Sequence, residues 1–398
     1  MAKCSHNDAV LHMIVQEATT FLIKNIDANR IKCILITGSI ANCEGTVIKF
    51  NSSMITSDFD FVIYLDFFYY MKNRTYFQNL SQEMSNRLVK RKIITHIDFL
   101  PSTKILRTFA NPSIYEYEFA LASKCIFGKP PIFNKAVRPS KRDALELVFT
   151  VVSEFVFLRF RNVSKIKESY IYAKRALTLL YSVLIFHGHF AETYEKRMKI
   201  AKEYASKGMI PLNQDEIKTL EIFTKFKLSG SFQQFLNSFP HMKINDLIRF
   251  QREFLEKLII KILYYELLNF TNVQKKVNFM DNNFLQNMKC KFPKLLKDYY
   301  YHSKARLSHR IVGVFLYVYW SFMRDRKRNE LFASFIFYKQ SPKVILNILI
   351  TLLFLFNSNV SIVKKVREIF SWKNFDNTIA IQEILALWQI AEESIKLN

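Results

Sequence analysis

Three acids are placed where they could do chemistry: Asp58 and Asp60, two apart in Ser57-Asp58-Phe59-Asp60, and Asp98 in His96-Ile97-Asp98-Phe99-Leu100. The first two enter an apolar run, Phe61-Val62-Ile63-Tyr64-Leu65, that reads as a buried strand, and side chains two apart on a strand share a face. Two carboxylates held side by side repel unless a cation stands with them. Magnesium is the natural candidate, because it takes oxygen ligands and binds through one or two carboxylates plus substrate phosphates. Asp98, alone in a second apolar segment over Ile93–Leu100, could ligate a second ion or take the proton of an attacking hydroxyl. Gly38-Ser39 ends a third apolar run, Ile31–Thr37, nineteen residues ahead of Asp58 when counted from Ser39. A small pair at a strand-to-helix turn lets backbone N–H groups approach a phosphate. The chain has 7 glycines in 398 residues, and Gly38 and Gly45 both fall in this one segment, so flexible backbone is concentrated there. Together these types point to metal-assisted transfer at phosphorus.

Positioning them requires strands at 31–37, 59–65 and 93–100, with a helix over about Tyr76–Lys92 between the last two. A mixed α/β domain over 1–134 follows, closed by a Pro-containing connector, Lys129–Ser140. Beyond it, Arg142–Arg161 and Glu168–His187 carry apolar residues at helical spacing, and the second bears Lys174-Arg175 on its polar side. Loops richer in Gly, Ser, Pro and Asn fall at 206–214, 229–240 and 269–287. The expected class is α+β: a small mixed sheet flanked by helices over 1–134, a helical substrate- or nucleotide-binding domain over 135–270, and a basic helical unit over 271–398.

The order Gly-Ser, then Ser57-Asp58-Phe59-Asp60 at a strand, then hydrophobic-Asp-hydrophobic on the next strand resembles the DNA polymerase beta-like nucleotidyltransferase superfamily. Tyr115–Pro131, with Phe127-Gly128-Lys129-Pro130, and the helix from Tyr172 to Gly188 are similar to its aminoglycoside and minimal nucleotidyltransferase group. The likeness covers roughly residues 30 to 200. It implies a nucleoside triphosphate, ATP by abundance, with its phosphates against Gly38, Ser39 and Ser57, a two-magnesium site on Asp58, Asp60 and Asp98, and transfer of a nucleoside monophosphate with release of pyrophosphate. Lys174 or Arg175 could hold the triphosphate; the alternative is an ordinary solvated helix face. The spacing from Ser39 to Asp58 is longer than usual in that superfamily, which implies an insertion around Ile48–Thr56. Gly45-Thr46-Val47-Ile48 also resembles a motif of the oligonucleotide-synthase branch. Relatives often dimerise, so a homodimer is a further expectation.

Composition narrows the partners. Cys4, Cys33, Cys43, Cys125 and Cys290 are odd in number and show no Cys-x-x-Cys spacing, which argues for a reducing compartment and against zinc. Met1–His6 lacks an apolar signal core, so the cytoplasm is the default expectation. Two apolar runs, 311–323 and 344–356, fall short of the ~20 residues a spanning helix needs, although Arg324-Asp325-Arg326-Lys327-Arg328 would suit a membrane face. The net charge of +24 is uneven: residues 1–134 carry 15 Lys and Arg against 11 Asp and Glu, the remainder 43 against 23. A surplus of that size favours polyanions, with affinity that falls as salt rises. Basic and aromatic residues interleave in Lys294–Arg310, around Tyr299-Tyr300-Tyr301, Lys304 and Arg306, as a groove stacking on RNA would require. The plain alternative is lysines solvating helices over an aromatic core. The acceptor therefore stays open among RNA, a protein and a small molecule, and a catalytically inactive fold serving as a basic RNA-binding module is the alternative function.

Overall fold

Alternation of period two decides the architecture. A computed structural model describes residues 6–50, 52–103, 114–130, 138–158, 163–270, 291–302 and 342–355. Strand β1 (Ile31–Thr37) pairs antiparallel with β4 (Phe59–Leu65), and β4 pairs in parallel with β6 (Ile97–Ser102). A fourth strand, β7 (Lys124–Gly128), closes the other side of β1, giving the order β6-β4-β1-β7. Ile34, Ile36, Phe59, Phe61, Ile63, Leu65, Ile97 and Phe99 all point to one face. That face is covered by α1 (His6–Asn25) through Leu11, Ile14, Ala18, Phe21 and Leu22, and by α3 (Phe67–Lys90) through Tyr70, Phe77, Leu80, Met84 and Leu88. Both helices thus present an apolar stripe at spacings of three, four and seven. Cys33, Leu35, Val62 and Tyr64 point the other way, where α4 (Ile114–Ala122) contributes Phe119.

A second, smaller sheet consists of β2 (Val47–Phe50), β3 (Ser53–Thr56) and β5 (Ile93–Ile94), with β2 and β3 forming an antiparallel hairpin. The hairpin lies at the insertion inferred around Ile48–Thr56. Two sequence expectations change. The helix expected from Tyr76 begins at Phe67, and the single segment expected over Ile93–Leu100 divides at Thr95-His96: Ile93-Ile94 pair with β3, while Ile97 onward pairs with β4.

The helical part comprises α5 (Lys141–Leu158), α6 (Lys165–Phe186), α7 (Tyr194–Ser206), α8 (Gln214–Ser229), a six-residue α9 (Phe232–Asn237) inside a stretch expected to be loop, and α10 (Ile244–Phe270). Two more helices are α11 (Phe292–His302) and α12 (Pro342–Leu355). The chain divides into two compact units. One draws on Met1–Ala144 and Ser164–Leu255, so α6, α7 and α8 belong with the sheet; the other draws on Leu145–Val163 and Glu256–Ile395.

In the second unit Tyr299 is fully buried, its ring 5.3 Å from that of Phe149 and 5.6 Å from that of Phe270. It is a core residue and not a stacking platform for RNA. Lys304, Arg306 and Arg310, the run 311–323 and most of the loop 269–287 lie outside the described residues. No helix among the described residues is long and apolar enough to cross a membrane; α12, on the second apolar run, has 14 residues.

Candidate active site

The strand register brings the acids together. Thr37 on β1 stands opposite Asp60 on β4, and Asp60 stands opposite Asp98 on β6, so the three form one row across the sheet. All three point away from the face covered by α1 and α3, because their neighbours Ile36, Phe59, Phe61, Ile97 and Phe99 point into it. Asp58 precedes β4 by one residue and has the same parity. Gly38, at φ +71°, follows Thr37 directly, and a Cβ added there would lie 3.3 Å from the Asp60 carboxylate oxygen Oδ2. Glycine therefore leaves open the space beside Asp60 that any other residue would take.

Each outer acid has a basic side chain beside it. Lys174 Nζ on α6 lies 2.6 Å from Asp58 Oδ2, and His96 Nε2 lies 2.9 Å from Asp98 Oδ1. Burial works to raise the Asp58 pKa, but the charge and hydrogen bond of Lys174, with smaller contributions from Arg175 and His96, hold it well below the usual carboxylate range. Lys174 responds in kind: desolvation opposes its charge, and Asp58 more than offsets that, so its pKa is raised. Asp58 still exposes 45% of its side chain, so the pair is open to exchange with other ions. Of the two basic residues expected on this helix, Lys174 makes the contact and Arg175 acts on Asp58 through its charge.

The donor set consists of carboxylate oxygens, which suits magnesium. Among the described residues no group of three or more His, Cys, Asp and Glu side chains is gathered closely enough to hold a metal ion. Magnesium needs no such cage, since one or two carboxylates with substrate phosphates complete its shell. The carboxylates thus suit an ion of this kind whose remaining shell is supplied by other ligands.

Ser39 is the second residue of a helix, α2 (Gly38–Ala41), of a single turn, too short to build a macrodipole; a phosphate grip here would rest on backbone N–H groups alone. The Ser39 carbonyl accepts a hydrogen bond from the Glu44 N–H at 2.8 Å, which closes the segment. Ser57 does not join the carboxylates. It is buried, and its Oγ accepts from the Thr46 N–H at 2.9 Å and from Lys227 Nζ at 2.9 Å.

Lys227 on α8 was not found from the sequence, although a signal was present. Ile217, Leu220, Phe223, Thr224 and Lys227 recur at spacings of three and four, which puts a lysine on the buried stripe of its helix. Only 1% exposed, its ammonium donates to Thr46 Oγ1 at 2.7 Å, Ser57 Oγ at 2.9 Å and Tyr170 OH at 2.9 Å. Burial works to raise the Tyr170 pKa, but the charges of Lys227 and Lys174 prevail and lower it.

Glu44 is the second buried group the sequence did not single out. Its Oε1 accepts the Tyr194 N–H at 2.7 Å, at the first turn of α7. Burial pushes its carboxyl up from 4.5 to about 7, only partly offset by that N–H, Arg197 and Lys227. Between those values the folded state holds a proton that the unfolded chain has released, so stability falls as pH rises. A shift from 4.5 to about 7 corresponds to a loss of ~3 kcal/mol across that window. Urea melts at pH 5 and pH 8 should show this fall in the wild type, and Glu44→Gln should flatten it.

Comparison of the chain with protein-family models, with curated proteins and with solved structures finds no match.

Proposed function

We propose that the chain is a magnesium-dependent nucleotidyltransferase, moving a nucleoside monophosphate from a triphosphate, ATP first among them, to an acceptor hydroxyl. The observation that carries this reading is the row Thr37, Asp60, Asp98 with Gly38 open beside Asp60. Asp58, Asp60 and Asp98 would hold the metal, which when bound neutralises phosphate charge and lowers the pKa of the acceptor hydroxyl. The protein's own groups do the rest. Gly38 admits a phosphate oxygen beside Asp60, and Lys174 exchanges its partner Asp58 for a triphosphate oxygen, so that one ammonium serves in turn as counter-ion and phosphate clamp. The acceptor oxygen attacks the α-phosphorus in line, the bond to pyrophosphate breaks, and the acceptor proton passes to Asp98, whose Oδ1 is oriented by His96.

Lys174→Met should raise KM for the triphosphate roughly 10- to 100-fold, the value of one charged hydrogen bond, while kcat changes less. Steady-state kinetics of pyrophosphate release measures both.

One observation favours a second reading. Lys174 already neutralises Asp58 and His96 already lies against Asp98, as they would in an inactive fold retained for binding. Labelled ATP, CTP, GTP and UTP, offered with and without magnesium against cellular RNA and against a protein extract, separate the two. Label in RNA, protein or a small molecule supports transfer and names the acceptor class. Salt-sensitive retention of RNA without transfer supports the binding module.

A further inference from the structure

We propose that Lys227 is a positioning residue for Asp58, through which helix α8 sets the direction of the carboxylate. The proposal rests on the reading of Asp58 as one of the reactive acids. A buried ammonium is costly unless it is paired, and the hydrogen bonds of Lys227 go to three hydroxyl groups and, at 3.5 Å, to the Glu44 carbonyl oxygen, while the Glu44 carboxyl acts on it through charge alone.

The hydrogen bonds show what the ammonium fixes. Its three protons go to Thr46, Ser57 and Tyr170. The Thr46 hydroxyl, having accepted one, donates its own proton to the Lys227 carbonyl at 2.6 Å. Ser57 Oγ, having accepted from Lys227 and from the Thr46 N–H, is left to donate to Tyr170 OH at 3.2 Å. Ser57 is held at every other polar atom as well: its N–H donates to the Thr46 carbonyl at 3.0 Å, and its carbonyl accepts from Thr56 Oγ1 at 3.1 Å and Thr95 Oγ1 at 3.0 Å. On the far side of Asp58, the Phe59 N–H donates to the His96 carbonyl at 2.9 Å. Asp58 is therefore one residue between two pinned neighbours, and the pin on the Ser57 side chain comes from α8.

Lys227→Met tests this. The variant takes a donor from three buried hydroxyl groups, of which Ser57 with Tyr170 and Tyr170 with Thr46 already lie within 3.5 Å, so it should fold with a thermal midpoint at or modestly below that of the wild type. Its kcat for magnesium-dependent pyrophosphate release should fall about 100-fold, as small misplacements of reacting groups do, with KM for the triphosphate little changed. A variant that melts lower but keeps the wild-type kcat makes Lys227 a structural residue and overturns the proposal. Should Lys227→Met not fold, Ser57→Ala takes its place, because it removes the link between the ammonium and Asp58; the same loss of kcat is expected, and an unchanged kcat is again fatal. Wild-type protein run beside Asp60→Ala separates the two levels. No difference between those samples ends the nucleotidyltransferase reading, and the assignment of Lys227 with it.

Discussion

Replacing Asp60 by Asn should leave the protein folded and lower its turnover about a thousandfold or more, the effect of losing ~4 kcal/mol of charge stabilisation at the reacting phosphate. Asp60 is the middle member of its row, with Thr37 in register on one side and Asp98 on the other, and the open side of Gly38 faces it. Among the described acids it is Asp60 that lies both beside Gly38 and in register with Asp98. The fold should tolerate the change, because removing one of several neighbouring carboxylates relieves repulsion. Circular dichroism checks the fold and pyrophosphate release the rate. Turnover within tenfold of wild type would remove Asp60 from the chemistry, and the proposed mechanism with it.

A large loss of stability is expected from Gly230→Ala. Helix α8 ends at Gly230, whose φ of +66° lets its N–H reach the Phe226 carbonyl at 3.0 Å. That turn is packed against the backbone of β2: an added Cβ would run into the Val47 carbonyl oxygen, with Thr46 Cγ2 a further 3.4 Å contact. A left-handed residue with a Cβ costs ~1–2 kcal/mol by itself, and a backbone oxygen cannot yield as a side chain can. The total should come to about 3 kcal/mol, a fall in Tm of roughly 6–12 °C for a unit of this size. Gly188, also at positive φ, has nothing within 4 Å of an added Cβ, so Gly188→Ala should cost much less and serves as the control. Equal melting of the two variants would show that the packing against Val47 carries no energy.

How far the sequence could be read follows from how local each signal is. Ile31–Thr37 was legible because six of its seven residues are buried, which leaves a continuous apolar run. Asp58, Asp60 and Asp98 were legible because period two and their apolar neighbours fix the face each occupies. The start of α3 was not, since Phe67-Phe68-Tyr69-Tyr70 continues the aromatic composition of β4 and only Tyr70 of the four is buried. Nor was the break at Thr95-His96, because the change from one sheet to the other is made by partners, β3 and β4, that local spacing does not specify. Lys227 shows the limit most clearly. A lysine on an apolar stripe can be noticed, but its meaning depends on Thr46 and Ser57, 181 and 170 residues away along the chain. Ser57 meets the same limit from the other side: its place beside Asp58 suggests a ligand contact, and its side chain turns toward that lysine.

The reach of Lys227 across 170 residues also imposes an order in time. Asp58 and Asp60 leave the ribosome early, but the side chain that holds Ser57 follows only after roughly ten to thirty seconds of further synthesis. Throughout that interval the nascent carboxylates lack their last support. On the proposed role of Lys227, a chain arrested before α8 would present all three acids with Asp58 still unaimed, so catalytic competence would be reached late in synthesis, long after the strands that carry the acids have been made.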